Sequence, residues 1–464
     1  MRILAISPFQ NSSVAIVNDG TVECFYKEEQ FSKIKTDPYP FLAIDYCVKN
    51  SPGKIDLALI CSDTQTSNTI ISLGAYLKKM HGITEIVDIS ENYHLQLASL
   101  AFYNSHFDKS LVVVIDNNGS CVSNLGREAE TMFIADYPAS FKMIYQSIQL
   151  FDKDSPIQGQ YEDAYIEGNS MFGVSKIFKA AGNVCRTPLS IDQITALSAY
   201  GRADINFTNL YKLRNVPNSG LFHQEDETQS PVYLTYKDNK VEEISKENYQ
   251  EFADFAFQMQ IQTQNAVADM ISIAIKQHNI KKVCVVGDFA SNSIANFFYK
   301  KRFPELDFYF EPLDYGNSIG GAYFFYRDQT GDGRLYPNKK IKPLIKSEPD
   351  DESLSYCQIK DIPRLIASNK SIAVFHNEKF LNSKCLGNRN ILLNPCDPES
   401  KEKLRELTGA LWFEHGRALI LKEDAYDLFN IVGSISDNVS YTIKLNKKTQ
   451  VPSIFHHDNS CQLT

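Results

Sequence analysis

The chain has 464 residues, is 43% hydrophobic and carries 47 basic against 56 acidic side chains, a formal net charge of −9. That length predicts about three domains, or one large and one small, and the acidic balance argues against a nucleic-acid partner. No apolar run approaches membrane-spanning length, and the ten cysteines stand singly without a C-x-x-C pair, so a reduced, cytoplasmic protein with neither a zinc ribbon nor a disulfide scaffold is expected.

Strand and helix alternate from the start. Arg2–Ile6 and Val14–Val17 read as strands on either side of a tight polar turn, followed by a strand at Val22–Tyr26, a helix at Phe41–Lys49 and a strand at Ile55–Cys61. A helix from about His94 to Asn104 leads into LVVVIDNNG (Leu111–Gly119), which repeats the strand and polar turn. Residues from about Phe207 to Gln250 are polar and irregular and read as a surface insertion carrying a hairpin-like PVYLTYKDNKVEEI. Asp254–Asn279 is predicted as a long helix, with Phe257, Ile261, Ala268, Ile271 and Ile275 at helical spacing. It feeds KVCVVGDFASNSIAN (Lys282–Asn296), a third strand-and-turn opening a helix, in the order of a parallel α/β sheet. Composition shifts to Gly, Pro, Lys and acids over residues 331–353, read as a linker between a domain of residues 1–330 and a smaller α/β module of residues 354–464. That module opens on a strand at Ser371–Phe375, and Cys61 and Cys284, in apolar strands, are expected to be buried thiols.

The thrice-written phrase carries the chemistry. Backbone N–H groups exposed at such turns, and at a helix N-terminus, form concave anion sites without help from any side chain. Two strand-turn-strand units beside a strand-loop-helix are what a protein needs to hold a phosphate from both sides. The competing explanation for each turn is packing alone, because buried parallel strands also end in glycine where nothing binds.

Seven segments, in order, carry a family resemblance. ILAISPFQNSSVAIVNDG with KEEQFSKIKTDPYPFLAIDYCV, NYHLQLASLAFYNSHFDKSLVVVIDNNGS, QITALSAYGR, VVGDFASNSIAN, EPLDYGNSIGGAY, KCLGNRNILLNP and VPSIFHHDNSCQLT are similar to the segments of the nodulation-type O-carbamoyltransferases. The resemblance implies a duplicated α/β domain of the actin/Hsp70-like fold (Kae1 type) joined to a YrdC-like domain. It also implies ATP and carbamoyl phosphate as substrates of a carbamoyl adenylate step, and transfer of the carbamoyl group to a hydroxylated small molecule. An intermediate that hydrolyses readily is protected when it is made and used inside one molecule. The family usually continues beyond the point matched by Thr464, so either a second chain or a homodimer is expected to cover the edge of the C-terminal sheet, or that domain is a minimal one.

Carried over residue by residue, the resemblance gives a mixed site. The family's two metal-binding histidines fall on Tyr93 and Leu97, neither of which offers a ring nitrogen, and His94 matches a neighbour that binds no metal and reads as a partly buried histidine. Asp314 matches the family's metal carboxylate. Alone it would hold Mg²⁺ only with water and nucleotide phosphates, so the transition-metal site is expected to be lost. Gln30, Gln193 and Gln462 replace family cations, Lys384 keeps charge without the arginine fork, and the turn histidine becomes Gln10. Charge-assisted bonds are about twice as strong as neutral ones, so these replacements weaken anion binding. The catalytic candidates are Gln10, Asp314, Lys384 and Arg389. The nucleotide-binding candidates are Asp116, Gly119, Gly287, Asn292, Asn296, Gly316 and Gly320, with Gly387, Asn388, His456 and Asp458 in the C-terminal module. Three functions follow as alternatives: an ATP-dependent carbamoyltransferase, a catalytically degenerate nucleotide-binding or partner subunit, and an actin-like phosphotransferase using Asp116 or Asp314.

Overall fold

The computed structural model describes residues 1–9, 11–63, 67–117, 119–152, 157–169, 173–183, 189–203, 245–312, 316–334, 357–375, 389–429, 431, 441–444 and 451–463. The first lobe is built from β1 (Arg2–Ser7), β2 (Ser13–Asn18), β3 (Thr21–Lys27), α1 (Phe41–Asn50), β4 (Leu57–Ile60), α2 (Ser67–His81) and β5 (Ile86–Asp88). All six residues of β1 are buried, because the strand is covered on both faces. Its β-branched and apolar side chains alternate: Leu4 and Ile6 face α1 and α2, while Ile3 and Ala5 face the middle of the molecule. The sheet runs β3-β2-β1-β4-β5, antiparallel across β1–β2–β3 and parallel across β1–β4–β5.

The second lobe repeats this plan. After α3 (Tyr93–Ser105) come β6 (Lys109–Ile115), the two-residue β7 (Cys121–Val122), β8 (Gly126–Asp136), β9 (Ser140–Leu150), β10 (Ile157–Tyr161) and β11 (Ala164–Asn169). Helices α4 (Val174–Asn183), α5 (Ile191–Ser198) and α6 (Tyr249–His278) precede β12 (Lys282–Val286), α7 (Ser293–Arg302), β13 (Asp307–Glu311) and α8 (Asn317–Thr330). Its sheet order contains β9-β8-β6-β12-β13, again with two antiparallel and then two parallel pairings. Strand for strand this is the order of the first lobe, so the mixed α/β fold is internally duplicated, as the repeated phrase predicts. Strands β10 and β11 extend the second sheet beyond the shared plan.

Helices α3 and α8 lie between the two sheets. Leu97, Ala101 and Phe102 of α3 and Ile319, Ala322 and Tyr323 of α8 share one core with Ile3 and Ala5 of the first sheet and Val112, Val114 and Val286 of the second. Burying a side chain such as Phe102 contributes roughly 1.5–3 kcal/mol, so this middle layer joins the lobes. The outer face of the second sheet packs on α4, α5, α6 and α7.

Several expected elements differ in detail. The long helix starts earlier than predicted, at Tyr249, and its buried stripe runs through Ala253, Ala256, Met259, Thr263, Val267, Ile271 and Ala274. Phe257, Ile261 and Ile275 lie at its half-buried margins. The reason is polar: Gln260 is buried and bonds Gln264 (3.0 Å) and Asn292 (2.9 Å), which rotates the helix from its most apolar orientation. His94, expected to be partly buried, is fully buried. Cys61 and Cys284 are both fully buried, in keeping with expectation. The hairpin-like segment at 231–244 and most of the 331–353 linker lie outside the described residues.

Beyond residue 356 the described chain forms two antiparallel pairs, β14 (Ile372–Phe375) with β15 (Arg389–Leu392) and β16 (Tyr441–Lys444) with β17 (Ser460–Leu463). Phe413, Phe429, Tyr441, Ile443, Cys461 and Leu463 join the outer core of the second lobe. Ser293 at the start of α7 shares a 2.7 Å hydrogen bond with Thr442. Among the described residues no helix is long and apolar enough to cross a membrane.

Candidate functional site

The three polar turns all follow the C-terminal ends of central strands: Pro8–Ser12 after β1, Asp116–Ser120 after β6 and Gly287–Asn292 after β12. Ligands of open α/β sheets bind at that end. The middle-layer helices tie the first two turns together. Asn317, first residue of α8, donates from Nδ2 to Ser7 Oγ and Cys61 O, both at 2.9 Å, and to Gln96 Oε1 of α3 at 3.4 Å. Ser13 and Ser318 share a 3.2 Å bond between hydroxyls. On the other side the Tyr93 N–H, at the start of α3, donates to Ser120 Oγ at 2.9 Å. Both helix N-termini therefore arrive at the turns, where the partial positive charge of an N-terminus favours an anion.

The second and third turns meet directly. Asp116 is buried, and its Oδ2 accepts the Asp288 N–H at 2.9 Å. Gly287 has φ +104°, and a β-carbon there would stand 2.3 Å from Ile115 O. Only glycine lets the two strand ends come this close. Asp288 in turn accepts from Ser175 Oγ at 2.5 Å and from the Lys179 ammonium.

The remaining expected residues divide by what their surroundings use them for. Gly119 sits so close to β8 that a β-carbon would lie 2.2 Å from Glu128 O. Asn292 caps α7, accepting the Ala295 N–H at 3.0 Å while donating to Gln260, and Asn296 donates to Ala290 O at 2.8 Å. These two asparagines hold the third turn in shape. Gly316 precedes α8, and Gly320 lies at its crossing with α3, a β-carbon there falling 2.0 Å from Gln96 O. Gln10, Asp314, Lys384, Gly387 and Asn388 lie outside the described residues, and Arg389 opens β15 opposite Phe375.

At the expected metal positions, Leu97 is fully buried in the core between the sheets and Tyr93 is nearly so. His94 Nδ1 shares a 2.7 Å bond with Thr131 Oγ1. A hydrocarbon side chain and a buried phenol do not fit a transition metal. Among the described residues no group of three His, Cys, Asp or Glu side chains could hold a metal ion.

Two of the neutral replacements have structural partners. Gln30 Oε1 accepts the Lys27 N–H at 3.0 Å. Gln193 forms a capping box with Ser190 at the start of α5 and donates to Glu414 at 3.1 Å, tying that helix to the C-terminal residues. His456 is buried and stacks on His415 with ring centroids 3.5 Å apart, and burial lowers its pKa to about 4. Asp458 Oδ1 accepts from the N–H and hydroxyl of Ser460, fixing the start of β17. Between the KCLGNRNILLNP and VPSIFHHD segments lies a cavity of about 490 Å³, lined by Ile391, Leu404, Phe429 and Ile454 with Lys401 and Arg417 among them.

Ser175, Lys179, Asp288 and Glu130 were not singled out from the sequence, although Lys176 and Lys179, one turn apart on a helix, are a readable signal. Glu130 is enclosed by β8, β9, β11 and α4. Its carboxylate accepts the Val174 N–H, beside Ser147, Tyr145, Glu167 and Lys176, and burial raises its pKa from 4.5 to about 7. A carboxyl raised in the folded state binds its proton there while the unfolded chain has released it. Its contribution to stability is complete below about pH 4.5 and is lost as the pH rises through 7, up to about 3 kcal/mol in total. Glu130→Gln is expected to flatten the slope of unfolding free energy between pH 5 and 7.5, measured by urea titration. An unchanged slope would place the titration elsewhere.

No family model matches the chain. An uncharacterized protein of Methanocaldococcus jannaschii is 23% identical over 292 residues, covering 58% of this chain and 47% of that protein. An uncharacterized protein of Synechocystis is 20% identical over 560 residues, covering 100% and 86%. Nodulation protein U of Rhizobium fredii is 27% identical over 158 residues, 33% of this chain and 27% of that protein. The chain thus spans about half the length of the first of these relatives and about a quarter of nodulation protein U. Among solved structures, HypF of T. kodakarensis gives a TM-score of 0.44 at 12% identity, covering 71% of this chain and 48% of that one. The activator of 2-hydroxyisocaproyl-CoA dehydratase from Clostridium difficile, with bound ADPNP, gives 0.37 at 10%, covering 71% and 95%.

Proposed function

We propose that the chain is an ATP-dependent carbamoyltransferase-like protein of actin/Hsp70-like fold with a YrdC-like C-terminal part. The observation that carries this reading is the network joining three phosphate-type turns from both lobes, through Ser7–Asn317–Gln96 on one side and Asp116–Asp288 on the other. The similarity to nodulation protein U supports it over a third of the chain. In this reading the nucleotide would enter the crevice, where Asp116 and, by the family match alone, Asp314 would hold a Mg²⁺ that offsets the phosphate charge. The turn N–H groups at Gly119 and Gly287 and the N-terminus of α8 would hold its phosphates. The 490 Å³ cavity receives the nucleotide of the adenylation step, its apolar walls taking the base and Lys401 and Arg417 the phosphate. Arg389, His456 and Asp458 stand on the described segments that run into that cavity's lining.

The chemistry balances as follows. Water removes phosphate from carbamoyl phosphate, and the carbamate oxygen attacks the α-phosphorus of ATP with pyrophosphate leaving. The hydroxyl of the acceptor then attacks the carbamoyl carbon, AMP leaves, and the hydroxyl proton passes to a base. Tyr93 and Leu97 favour a second reading, a nucleotide-binding subunit that keeps the crevice without transfer. Pyrophosphate release from ATP separates the two, because only the enzyme releases it in response to carbamoyl phosphate.

A further inference from the structure

Asp116 and Asp288 are two buried carboxylates at the ends of the adjacent parallel strands β6 and β12, where the second and third turns meet. Their neighbourhood would repel a polyphosphate unless one charge were cancelled. Among the described residues at expected cation positions, Gln30 and Gln193 are neutral and engaged in a turn and a helix cap. Nearby Arg127 reaches Gly119 O at 3.3 Å, and Lys176 reaches Gln149 at 2.9 Å.

We propose that Lys179, paired with Asp288 and buttressed by Ser175, is the charge-compensating residue of the phosphate crevice, a specificity determinant for polyphosphate ligands. The proposal rests on the reading of the crevice as a nucleotide site. Three features carry it. The ammonium holds Asp288 Oδ2 while Ser175 Oγ holds Oδ1, so the carboxylate is fixed and neutralised as a unit. The backbone N–H of the same Asp288 orients Asp116, so the compensated group sits against the carboxylate assigned to Mg²⁺. The lysine is the outer member of its pair, with 30% of its side chain exposed against 10% for Asp288, which places positive charge on the accessible side.

The test compares calorimetric affinities of the full chain and its Lys179→Met, Asp288→Asn and doubly substituted variants for MgATP and for adenosine. Thermal unfolding confirms that each variant is folded. Lys179→Met is expected to weaken MgATP about tenfold or more while leaving adenosine within about twofold, and adding Asp288→Asn is expected to restore most of the loss. Equal losses for MgATP and adenosine would mark Lys179 as merely structural and overturn the proposal. So would a double variant as weak as Lys179→Met alone. A wild-type chain that binds MgATP no better than adenosine would instead overturn the reading of the crevice as a phosphate site.

Discussion

Replacing Gly320 by alanine is expected to destabilise the whole molecule by about 3 kcal/mol, at the upper end of the cost of an overpacked core. The added β-carbon would fall 2.0 Å from Gln96 O and 2.9 Å from the Leu100 Cβ and N–H nitrogen, and two of those three atoms are backbone. No rotamer change relieves such a contact, so α3 and α8 must part. These helices fill the layer between the sheets, and their separation would loosen Leu97, Phe102, Ile319 and Ala322 together. It would also pull Asn317 from Gln96 and Ser7, opening the first turn of the crevice. Gly331→Ala is the control: its φ is +64° and a β-carbon there meets nothing within 4 Å, so only backbone strain of about 1 kcal/mol is at stake. Urea unfolding of both variants provides the comparison. A Gly320→Ala protein no less stable than Gly331→Ala would contradict the close crossing of the two helices.

The second large effect concerns ligand rather than fold. Asp116→Asn is expected to lower MgATP affinity about 100-fold while keeping stability within about 1 kcal/mol of the wild type. Asparagine retains an oxygen for the Asp288 N–H, which Asp116 now accepts at 2.9 Å, so the buried donor stays paired. What disappears is the negative charge, and with it the attraction for a hydrated magnesium ion. Asp116→Ala, by contrast, leaves the Asp288 N–H without its acceptor and is expected to lose about 1–3 kcal/mol of stability as well. Undiminished MgATP binding by a folded Asp116→Asn protein would remove Asp116 from the site.

What the sequence disclosed was set by burial. Strands β1, β6 and β12 are covered on both faces and read as unbroken apolar runs, so they and the turns after them were legible without structure. The duplication was legible for the same reason, since β1 with β2 and β6 with its turn repeat one pattern. The strands from β8 to β11 were not, because β8 carries Glu128, Glu130 and Thr131 at its buried or half-buried positions and β10 is largely exposed. Charged residues turned inward erase the alternation by which a strand is recognised. The polar face of α6 hid its true orientation through Gln260 and Gln264. The family resemblance assigned Asp116, Gly119 and Gly287 to the turns after β6 and β12, and the structure has them in those turns, with Gly287 at φ +104°. Asp288, Ser175 and Lys179 were not readable, because 109 residues or more separate Asp288 from partners that only the sheet brings to it. Nor could Gln193 be assigned its bond to Glu414, 221 residues away. Contacts of that range are a property of the assembled lobes.

The account turns on whether the crevice couples nucleotide to carbamoyl chemistry. The direct measurement is pyrophosphate release by the purified chain supplied with MgATP, with and without carbamoyl phosphate, alongside MgATP binding. Release that requires both substrates is the predicted result. A chain that binds no MgATP, or binds it and never releases pyrophosphate when carbamoyl phosphate is present, would contradict the carbamoyltransferase reading.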